Sequence, residues 1–225
     1  MPGGEVVGRI SSFLEYISLS WDHVLALALG HALVVAISLA IDIVIGVSLG
    51  VLVYRRESAA NVALAITSTF LTIPSFALFA LFIPIFGLGY TPAVVALVMY
   101  GLLPILRNTV AGLRSVDPAV AESAKGMGMN ARERLLRIEL PLAWPVIITG
   151  IRVSTMLLMG IAAIAAVVNG PGLGEDIFAG LARVGSATAL NLVIGGILGI
   201  IVLALIFDTF FNVLGRLTTS RGIRD

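Results

Sequence analysis

Long apolar stretches dominate this chain, and they restrict the folds open to it more than any other feature. Five of them are long enough to cross a bilayer, at residues 24–54, 62–86, 92–113, 142–168 and 190–214. A spanning helix needs about 20 mostly apolar residues. Charged residues make up only 12% of the chain, against roughly 25% in soluble domains. The sequence therefore predicts an all-α integral membrane protein with about five transmembrane helices.

The distribution of basic residues predicts how these helices are oriented. Most of the 14 Lys and Arg residues lie after the first span, between the third and fourth, or after the last. Five spans place all three segments on one side, which should be cytoplasmic because loops there are enriched in Lys and Arg. We therefore predict an extracytoplasmic N-terminal segment at 1–23, a single transmembrane domain at 24–214 and a cytoplasmic tail at 215–225. With Arg9 as its one basic residue, the N-terminal segment is not expected to be a secretory signal.

Composition excludes several kinds of site. The chain has no cysteine, which excludes disulfides, thiolate metal sites and a cysteine nucleophile. A net charge of +1 gives no reason to expect nucleic acid as a partner. The sequence has no Gly-x-x-x-x-Gly-Lys-[Ser/Thr] phosphate-binding loop, so a nucleotide would have to bind to another chain.

The longest hydrophilic segment, 115–141, predicts a helix, an elbow and a second helix. Asp117 followed by proline is typical of a helix start, since the carboxylate caps free N–H groups and proline is tolerated in the first turn. Gly-Met-Gly at 126–128 should break this helix. Asn130 with a glutamate three residues later predicts a second capped start. We expect the second helix to end at Leu140–Pro141.

Part of this loop resembles a signature of the membrane subunits of ATP-binding-cassette (ABC) importers. That signature reads Glu-Ala-Ala, three residues, Gly, nine residues, then Ile-x-Leu-Pro. The chain differs from it only at the second position, where serine replaces another small residue. The aligned residues are Glu122, Ser123, Ala124, Gly128, Ile138, Leu140 and Pro141. The resemblance implies that these residues couple the chain to an ATPase.

Shorter motifs resemble one subgroup, the permeases for glycine betaine, carnitine, choline and proline. They are Thr-Ile-Pro-Ser at 72–75, Tyr-Gly-Leu-Leu-Pro-Ile at 100–105, Gly-Ile-Arg-Val-Ser-Thr at 150–155 and Gly-Pro-Gly-Leu-Gly at 170–174. The last motif lies in an outer turn that usually reads Gly-Ala-Gly-Gly-Leu-Gly in the subgroup. Asn169 and Pro171 depart from that pattern here, so we assign the turn no specific contact. The stretch that follows this turn could hold a short surface or re-entrant helix.

The resemblance implies the type I ABC importer permease fold and a transport function without bond chemistry, so the chain would not be an enzyme. A second permease copy or a paralogue would complete the membrane unit. Separate ABC ATPase subunits would bind ATP and Mg²⁺, and this chain would hold no cofactor. An extracytoplasmic solute-binding protein would deliver a quaternary ammonium osmoprotectant or proline. The expected location is the cytoplasmic membrane of a prokaryote, in contact with lipid.

Four residues within the spans are candidates for the transport path: Asp42, Pro74, Tyr100 and Pro104. Ionisable groups inside a membrane are expensive and are functional hypotheses by default. Asp42 could attract a quaternary ammonium cation, pair with a neighbour, or face water at an interface with the partner permease. The two prolines are expected to kink their helices or to free carbonyl groups toward a cavity. Tyr100 is the first residue of the Tyr-Gly-Leu-Leu-Pro-Ile motif, which resembles the subgroup.

Other residues within the spans have structural interpretations. His31 is expected to be a hydrogen-bonded structural residue, and Asp208, about two turns before Arg216, a structural anchor. Phenylalanines recur at helical spacing at 76, 79, 82 and 86. Aromatic faces bind quaternary ammonium groups by cation–π attraction, roughly 0.5–2 kcal/mol each. Packing or lipid contact is the more common role of such a stripe.

Other functions remain open at this point. Amino-acid importers share the loop signature, so the solute could be an amino acid such as methionine. An intramembrane enzyme would need paired Asp residues, a Ser/His dyad or a metal cluster at matching depth, and His31 and Asp42 are about 16 Å apart along one helix. A passive membrane scaffold would leave the long loop without a role.

Overall fold

The computed structural model of the chain describes residues 2–186 and 188–219, with side chains from residue 8 onward. Within these ranges every regular element is helical. The helices are α1 Pro2–Leu19, α2 Trp21–Val53, α3 Glu57–Thr72, α4 Ser75–Phe86, α5 Tyr90–Arg114, α6 Pro118–Gly126, α7 Ala131–Arg134, α8 Leu140–Ala162, α9 Gly174–Ala182 and α10 Ala189–Thr218. A π-helical turn, Leu135–Glu139, joins α7 to α8, and a 3₁₀ segment, Ala163–Val168, follows α8. Residues 220–225 of the predicted tail lie outside the described residues.

Among the residues that the structure describes, four helical stretches are long and apolar enough to cross a membrane: α2, α5, α10 and the run Ala131–Val168, which contains α8. They confirm four of the five predicted spans. The second predicted span, 62–86, is not one straight helix. Its residues fall in α3 and α4, which meet at 96° and make a fifth crossing only if the bent pair counts as one span.

Proline explains the break between α3 and α4. Pro74 has no N–H to donate, and its ring disfavours the α conformation in the residue before it. Ile73 accordingly has φ −75° and ψ 127°, and its N–H bonds back to the carbonyl of Phe70. The prediction that Pro74 disturbs its span is confirmed.

The second loop helix does not end at Leu140–Pro141, and that prediction is wrong. α7 continues through the π turn into α8 without a stop. In this turn the N–H of Leu140 bonds to the carbonyl of Leu135, five residues back. The wider turn makes room for the ring of Pro141, which relieves the steric cause of helix breaking by proline.

The chain divides into two compact units. The first comprises the chain up to Ile37, Pro74–Leu97 and Met159–Leu205, and the second comprises Ser38–Ile73, Val98–Leu158 and the chain from Ile206. The boundary falls within α2, α5, α8 and α10 and at the break between α3 and α4.

In the second unit, small residues bring α2 and α5 into close contact. A side chain at Gly46 would lie 2.9 Å from Cγ2 of Ile105, and one at Gly50 would lie 2.5 Å from Cγ2 of Thr109. Residues four apart share one face of a helix, so both contacts belong to the same interface. Small residues at this spacing let membrane helices approach closely.

In the first unit, the segment after α8 packs against α2 and α10. Gly30 of α2 lies against Pro171, where a side chain would come within 3.3 Å of its Cβ. Leu173 fills the space that Gly196 and Gly199 leave open on α10. The short helix predicted after the outer turn is α9.

Candidate coupling site and transport path

α6 carries the first half of the signature and begins and ends as the sequence predicts. The carboxylate of Asp117 accepts a hydrogen bond of 2.8 Å from an N–H in its first turn. At the other end, Met129 donates to the carbonyl of Ala124 and Gly128 donates to that of Lys125, the two bonds of a Schellman motif. Gly128 has a φ of +87°, which glycine adopts without steric strain. The elbow is therefore a backbone conformation that depends on glycine.

The start of α7 confirms the predicted capping box. Oδ1 of Asn130 accepts hydrogen bonds of 3.0 Å from the N–H groups of Arg132 and Glu133. The side chain of Glu133 in return accepts a 2.9 Å bond from the N–H of Asn130. With the end of α6 closed by the Schellman motif and the start of α7 capped, the elbow between α6 and α7 is fixed from both sides.

The outer face of the loop is exposed and partly apolar. Met127 exposes 72% of its surface and Val120 exposes 40%. Glu122 and Ser123 are also exposed, whereas Ala124 is buried. Within the described residues, the side chain of Glu122 makes no hydrogen bond or ion pair. Exposed methionine beside small residues is typical of a surface that adapts to a partner.

The variable position of the Ile-x-Leu-Pro signature holds a buried glutamate that gathers a cluster of polar side chains. Glu139 accepts hydrogen bonds from the hydroxyl of Tyr54, from Nη2 of Arg55 at 3.1 Å and from Nε of Arg134 at 2.8 Å. The Tyr54 oxygen accepts a 2.6 Å bond from Nε of Arg55. Arg114 donates from Nε to the Tyr54 carbonyl at 2.8 Å. We call these five residues the Glu139 cluster.

The Glu139 cluster joins the end of α2 to the π turn ahead of α8. The negative charge of the central Glu139 carboxylate is balanced by the guanidinium groups around it, and each donor group of the cluster makes a hydrogen bond to an oxygen. A buried charge needs both an opposite charge and hydrogen bonds of this kind. Burial, together with the hydrogen bond to Glu139, raises the pKa of Tyr54 to about 12, so the hydroxyl keeps its proton at neutral pH. The cluster thus links two segments of the second unit that are 85 residues apart.

The path candidate Tyr100 contacts the break between α3 and α4. The buried Tyr100 donates its hydroxyl to the carbonyl of Ile73 at 2.8 Å, immediately before Pro74. This carbonyl has left the regular helical ladder, so Tyr100 satisfies a group that the break frees. Pro104 lies inside α5, half-buried, and its carbonyl accepts a 2.8 Å bond from Nδ2 of Asn108. Their part in a transport path stays a prediction.

Asp42 lies on the interface of α2 with α5 and is fully buried. Neither carboxylate oxygen has a hydrogen-bond partner among the described residues. A Cβ built on Gly101 would overlap Oδ2 of Asp42 and lie 2.9 Å from Oγ of Ser154. Ser154 in turn donates to the Gly101 carbonyl at 3.0 Å. In this structure Asp42 therefore contacts α5 in its own chain, and its role in transport is still a prediction.

The residues given structural interpretations are packed or paired. His31 is fully buried and donates from Nε2 to the carbonyl of Met159 at 3.1 Å, as expected of a structural histidine. Asp208 is anchored by an ion pair with Arg152 of α8. In the phenylalanine stripe, Phe79 is fully buried while the others are exposed or half-buried, so the four rings do not share one environment.

In the first unit, Asp176 of α9 anchors the N-terminal helix. Its buried carboxylate accepts hydrogen bonds from the Tyr16 hydroxyl at 3.0 Å and from Nε2 of His23 at 2.9 Å. Burial and the bond to Asp176 raise the pKa of Tyr16 to about 12. The segment predicted as 1–23 is thus helical in its described part and is tied to α9 next to the outer turn.

Two features were missed in the sequence. The first is the contact face of α2, which Gly-x-x-x-Gly at 46–50 could have indicated, because this pattern is typical of close helix packing in membranes. The second is the Glu139 cluster. The acidic residue within the signature was visible, but no local pattern relates Glu139 to Tyr54.

Comparisons with known proteins agree with this geometry. The family described as "Binding-protein-dependent transport system inner membrane component" matches residues 42–220. The choline transport system permease protein OpuBB of Bacillus subtilis (strain 168) is 42% identical over 176 residues, covering 78% of this chain and 79% of that protein. The osmoprotectant import permease protein OsmW of Salmonella typhimurium is 38% identical over 214 residues, covering 92% of this chain and 93% of that protein.

A solved structure supports the same fold. The permease fold of the inward-facing MetNI methionine ABC transporter matches with a TM-score of 0.76 at 21% identity, covering 88% of this chain and 96% of that chain. At this identity the likeness concerns the fold alone, which is that of type I ABC importer permeases. The family match, in contrast, extends over most of the sequence and includes the signature loop. The chain therefore belongs to the family of binding-protein-dependent transport system inner membrane components.

Proposed function

We propose that the chain is the membrane permease subunit of an ABC importer for quaternary ammonium osmoprotectants, such as glycine betaine, carnitine and choline, or for proline. The observation that carries the proposal is the exposed, glycine-dependent elbow built from the signature residues. Relatives named for choline and for osmoprotectants support the choice of solute. The importer works in the cytoplasmic membrane of a prokaryote, with a second permease copy or paralogue and an extracytoplasmic solute-binding protein. Separate ATPase subunits hold ATP and Mg²⁺.

The continuous helix behind the elbow supports a direct mechanical route into the membrane. A partner ATPase that grips α6 displaces the elbow at Gly128. The displacement reaches α8 through the run Ala131–Val168, which has no stop at Pro141. The Glu139 cluster ties this run to the end of α2, so two membrane helices move with one loop. Alternating access requires such a connection between motor and gate.

The solute is tested by uptake into proteoliposomes that contain the chain with its ATPase and binding protein. Radiolabelled glycine betaine, choline, proline and methionine are compared at equal concentrations. We expect ATP-dependent uptake of at least one of the first three. Uptake of methionine alone would contradict the proposed solute and favour an amino-acid importer.

Replacing Gly128 by valine is expected to uncouple ATP hydrolysis from uptake. A β-branched residue at a φ of +87° is strained, so the backbone of the elbow must change. The G128V complex should still hydrolyse ATP, while solute uptake falls at least about tenfold, equivalent to 1.4 kcal/mol in the barrier. Both rates are measured in the same proteoliposomes.

Gly126 supplies a matched control for this variant. A Cβ built on either glycine meets no atom within 4 Å, so the two positions offer the same space. Only Gly128 has a positive φ, and Gly126 is helical. G126A should therefore couple normally. Normal uptake by G128V at a normal amount of complex would refute the coupling role of the elbow.

The orientation is tested with single cysteines, which the cysteine-free chain makes straightforward. Met127 in the elbow and Leu88 in the turn before α5 are 72% and 57% exposed. In intact cells, a membrane-impermeant maleimide should label L88C and spare M127C, because the basic loops belong in the cytoplasm. Labelling of M127C before the cells are permeabilised would reverse the proposed orientation.

A further inference from the structure

An ion pair lies within the spanning helices of the second unit. Arg152 of α8 donates from Nε at 3.0 Å and from Nη2 at 2.7 Å to Oδ1 of Asp208 on α10. The two side chains remain 35% and 37% exposed. Among the described residues, no group donates to Oδ2 of Asp208, and Nη1 of Arg152 donates to none. The pair therefore presents an open carboxylate oxygen and open guanidinium N–H groups.

Lipid is an unfavourable neighbour for this exposed pair. Arg152 is about 12 residues beyond Leu140, or about 18 Å along the helix, and lies well inside the run Ala131–Val168. A charged side chain at the centre of a spanning helix is costly to place against lipid. Charges at such depth face the interior of a bundle or a water-filled cavity. The open side of the pair therefore belongs against water.

A cavity of about 250 Å³ opens at the pair, and it is lined by Thr149, Arg152, Val153, Met156 and Asp208. Val153 and Met156 give it an apolar wall, and the ion pair gives it a charged end. The hydroxyl of Thr149 donates to a carbonyl of its own helix. An apolar wall with a few fixed polar groups is typical of sites for small ligands.

We propose that Arg152 and Asp208 form a solute contact in the transport path, which recognises a zwitterion by both of its charges. The trimethylammonium group faces Oδ2 of Asp208 and packs its methyl groups on Val153 and Met156. The solute carboxylate accepts hydrogen bonds from the open N–H groups of Arg152, whose planar fork matches carboxylate geometry. This inference rests on the proposed function, and it names the substrate class as zwitterionic betaines.

The resident ion pair also explains how such a site releases its solute. The pair and the zwitterion are each neutral, so the solute enters by exchanging ion-pair partners, and no net charge is buried. The solute competes with the resident pair, which keeps its affinity low. Asp42 lacks the two features that this exchange needs, an open side and a resident ion-pair partner. It is fully buried, and its oxygens have no hydrogen-bond partner among the described residues.

The test compares glycine betaine, which has both charges, with choline, which has the cation and no carboxylate. The complete complex is reconstituted in proteoliposomes, and uptake of each labelled solute is measured at a saturating concentration of loaded binding protein. R152Q should slow glycine betaine uptake at least about tenfold and choline uptake less than about twofold. D208N should slow both about tenfold. T209A, next to Asp208 but outside the cavity lining, should leave both rates unchanged.

The outcomes separate this inference from the proposed function. A wild-type complex that takes up none of glycine betaine, choline and proline overturns the proposed function and the inference with it. A wild type that takes up choline or proline but not glycine betaine overturns only the inference. Suppose that the wild type transports glycine betaine and that R152Q slows the uptake of glycine betaine and of choline equally. That result overturns only the inference. If R152Q does not accumulate as a folded complex, R152L/D208L is used, since it removes both charges together. Unchanged glycine betaine uptake by that double variant overturns the inference, and loss of uptake at an unchanged melting temperature supports it.

Water access gives an independent check. Val153 is 50% exposed at the cavity, so V153C in the cysteine-free chain reports on what covers this face. Labelling by a charged, water-soluble thiol reagent, slowed by glycine betaine, supports the solute contact. Complete resistance to the reagent overturns it, because the face would then lie against lipid or the second permease.

Discussion

Replacing Gly101 by alanine is expected to lower the free energy of unfolding by about 3 kcal/mol, the upper part of the range for overpacked cores. The added Cβ would overlap Oδ2 of Asp42 and lie 2.7 Å from its Cγ and 2.9 Å from Oγ of Ser154. Both neighbours are fully buried, so neither side chain can turn away into solvent. The melting temperature of the purified chain in detergent micelles measures the effect.

A second substitution tests whether the clash is the cause. D42A removes both atoms of Asp42 that the new methyl group would meet, so D42A/G101A should melt close to D42A alone. The expected coupling energy is about 2 kcal/mol, within the range for residues in contact. G160A is the matched control, because a Cβ on this helical glycine meets no atom within 4 Å. A melting temperature for G101A equal to that of the wild type would rule out the close packing of Asp42 on α5.

Local patterns were sufficient to predict the local features of this fold. Runs of apolar residues predicted the spans, because a bilayer requires a fixed helix length. Asp117 and Asn130 predicted the starts of α6 and α7, since a capping side chain bonds to an N–H only two or three residues away. Gly128 predicted the elbow, because a single glycine can adopt a positive φ without steric strain. Each of these features depends on a few neighbouring residues.

Features that depend on distant residues could not be predicted in this way. Pro74 breaks its span while Pro141 lies inside a continuous helix, and the difference is the π turn before Pro141. No local pattern distinguishes the two prolines. Asp208 was predicted to be a structural anchor, but its ion-pair partner Arg152 is 56 residues away in the sequence. Likewise the coupling signature was recognised in full, but not the contact of its buried Glu139 with the end of α2.

Replacing Glu139 by alanine is expected to have the second large effect. The change leaves the Tyr54 hydroxyl without its acceptor and removes the counter-charge of Arg134, whose side chain is only 19% exposed. Removing one partner of a buried ion pair typically costs roughly 3–5 kcal/mol, and we expect about 3 here because the arginines reach solvent in part. The melting temperature in detergent measures this loss.

Coupling should suffer beyond the loss of stability, because the same carboxylate ties α2 to the π turn. In proteoliposomes held well below its melting temperature, the E139A complex should hydrolyse ATP while solute uptake falls at least about tenfold. R55A is the matched control, since the Arg55 side chain is 45% exposed and its removal leaves Glu139 bonded to Tyr54 and Arg134. Because the Arg55 guanidinium is partly in solvent, its pair with Glu139 is screened and should contribute about 1 kcal/mol or less, so R55A should melt and transport nearly as the wild type does. If E139A and R55A lowered the melting temperature and uptake equally little, the Glu139 cluster would contribute no more than a surface ion pair. Movement of the elbow would then have to be transmitted to α2 through other contacts.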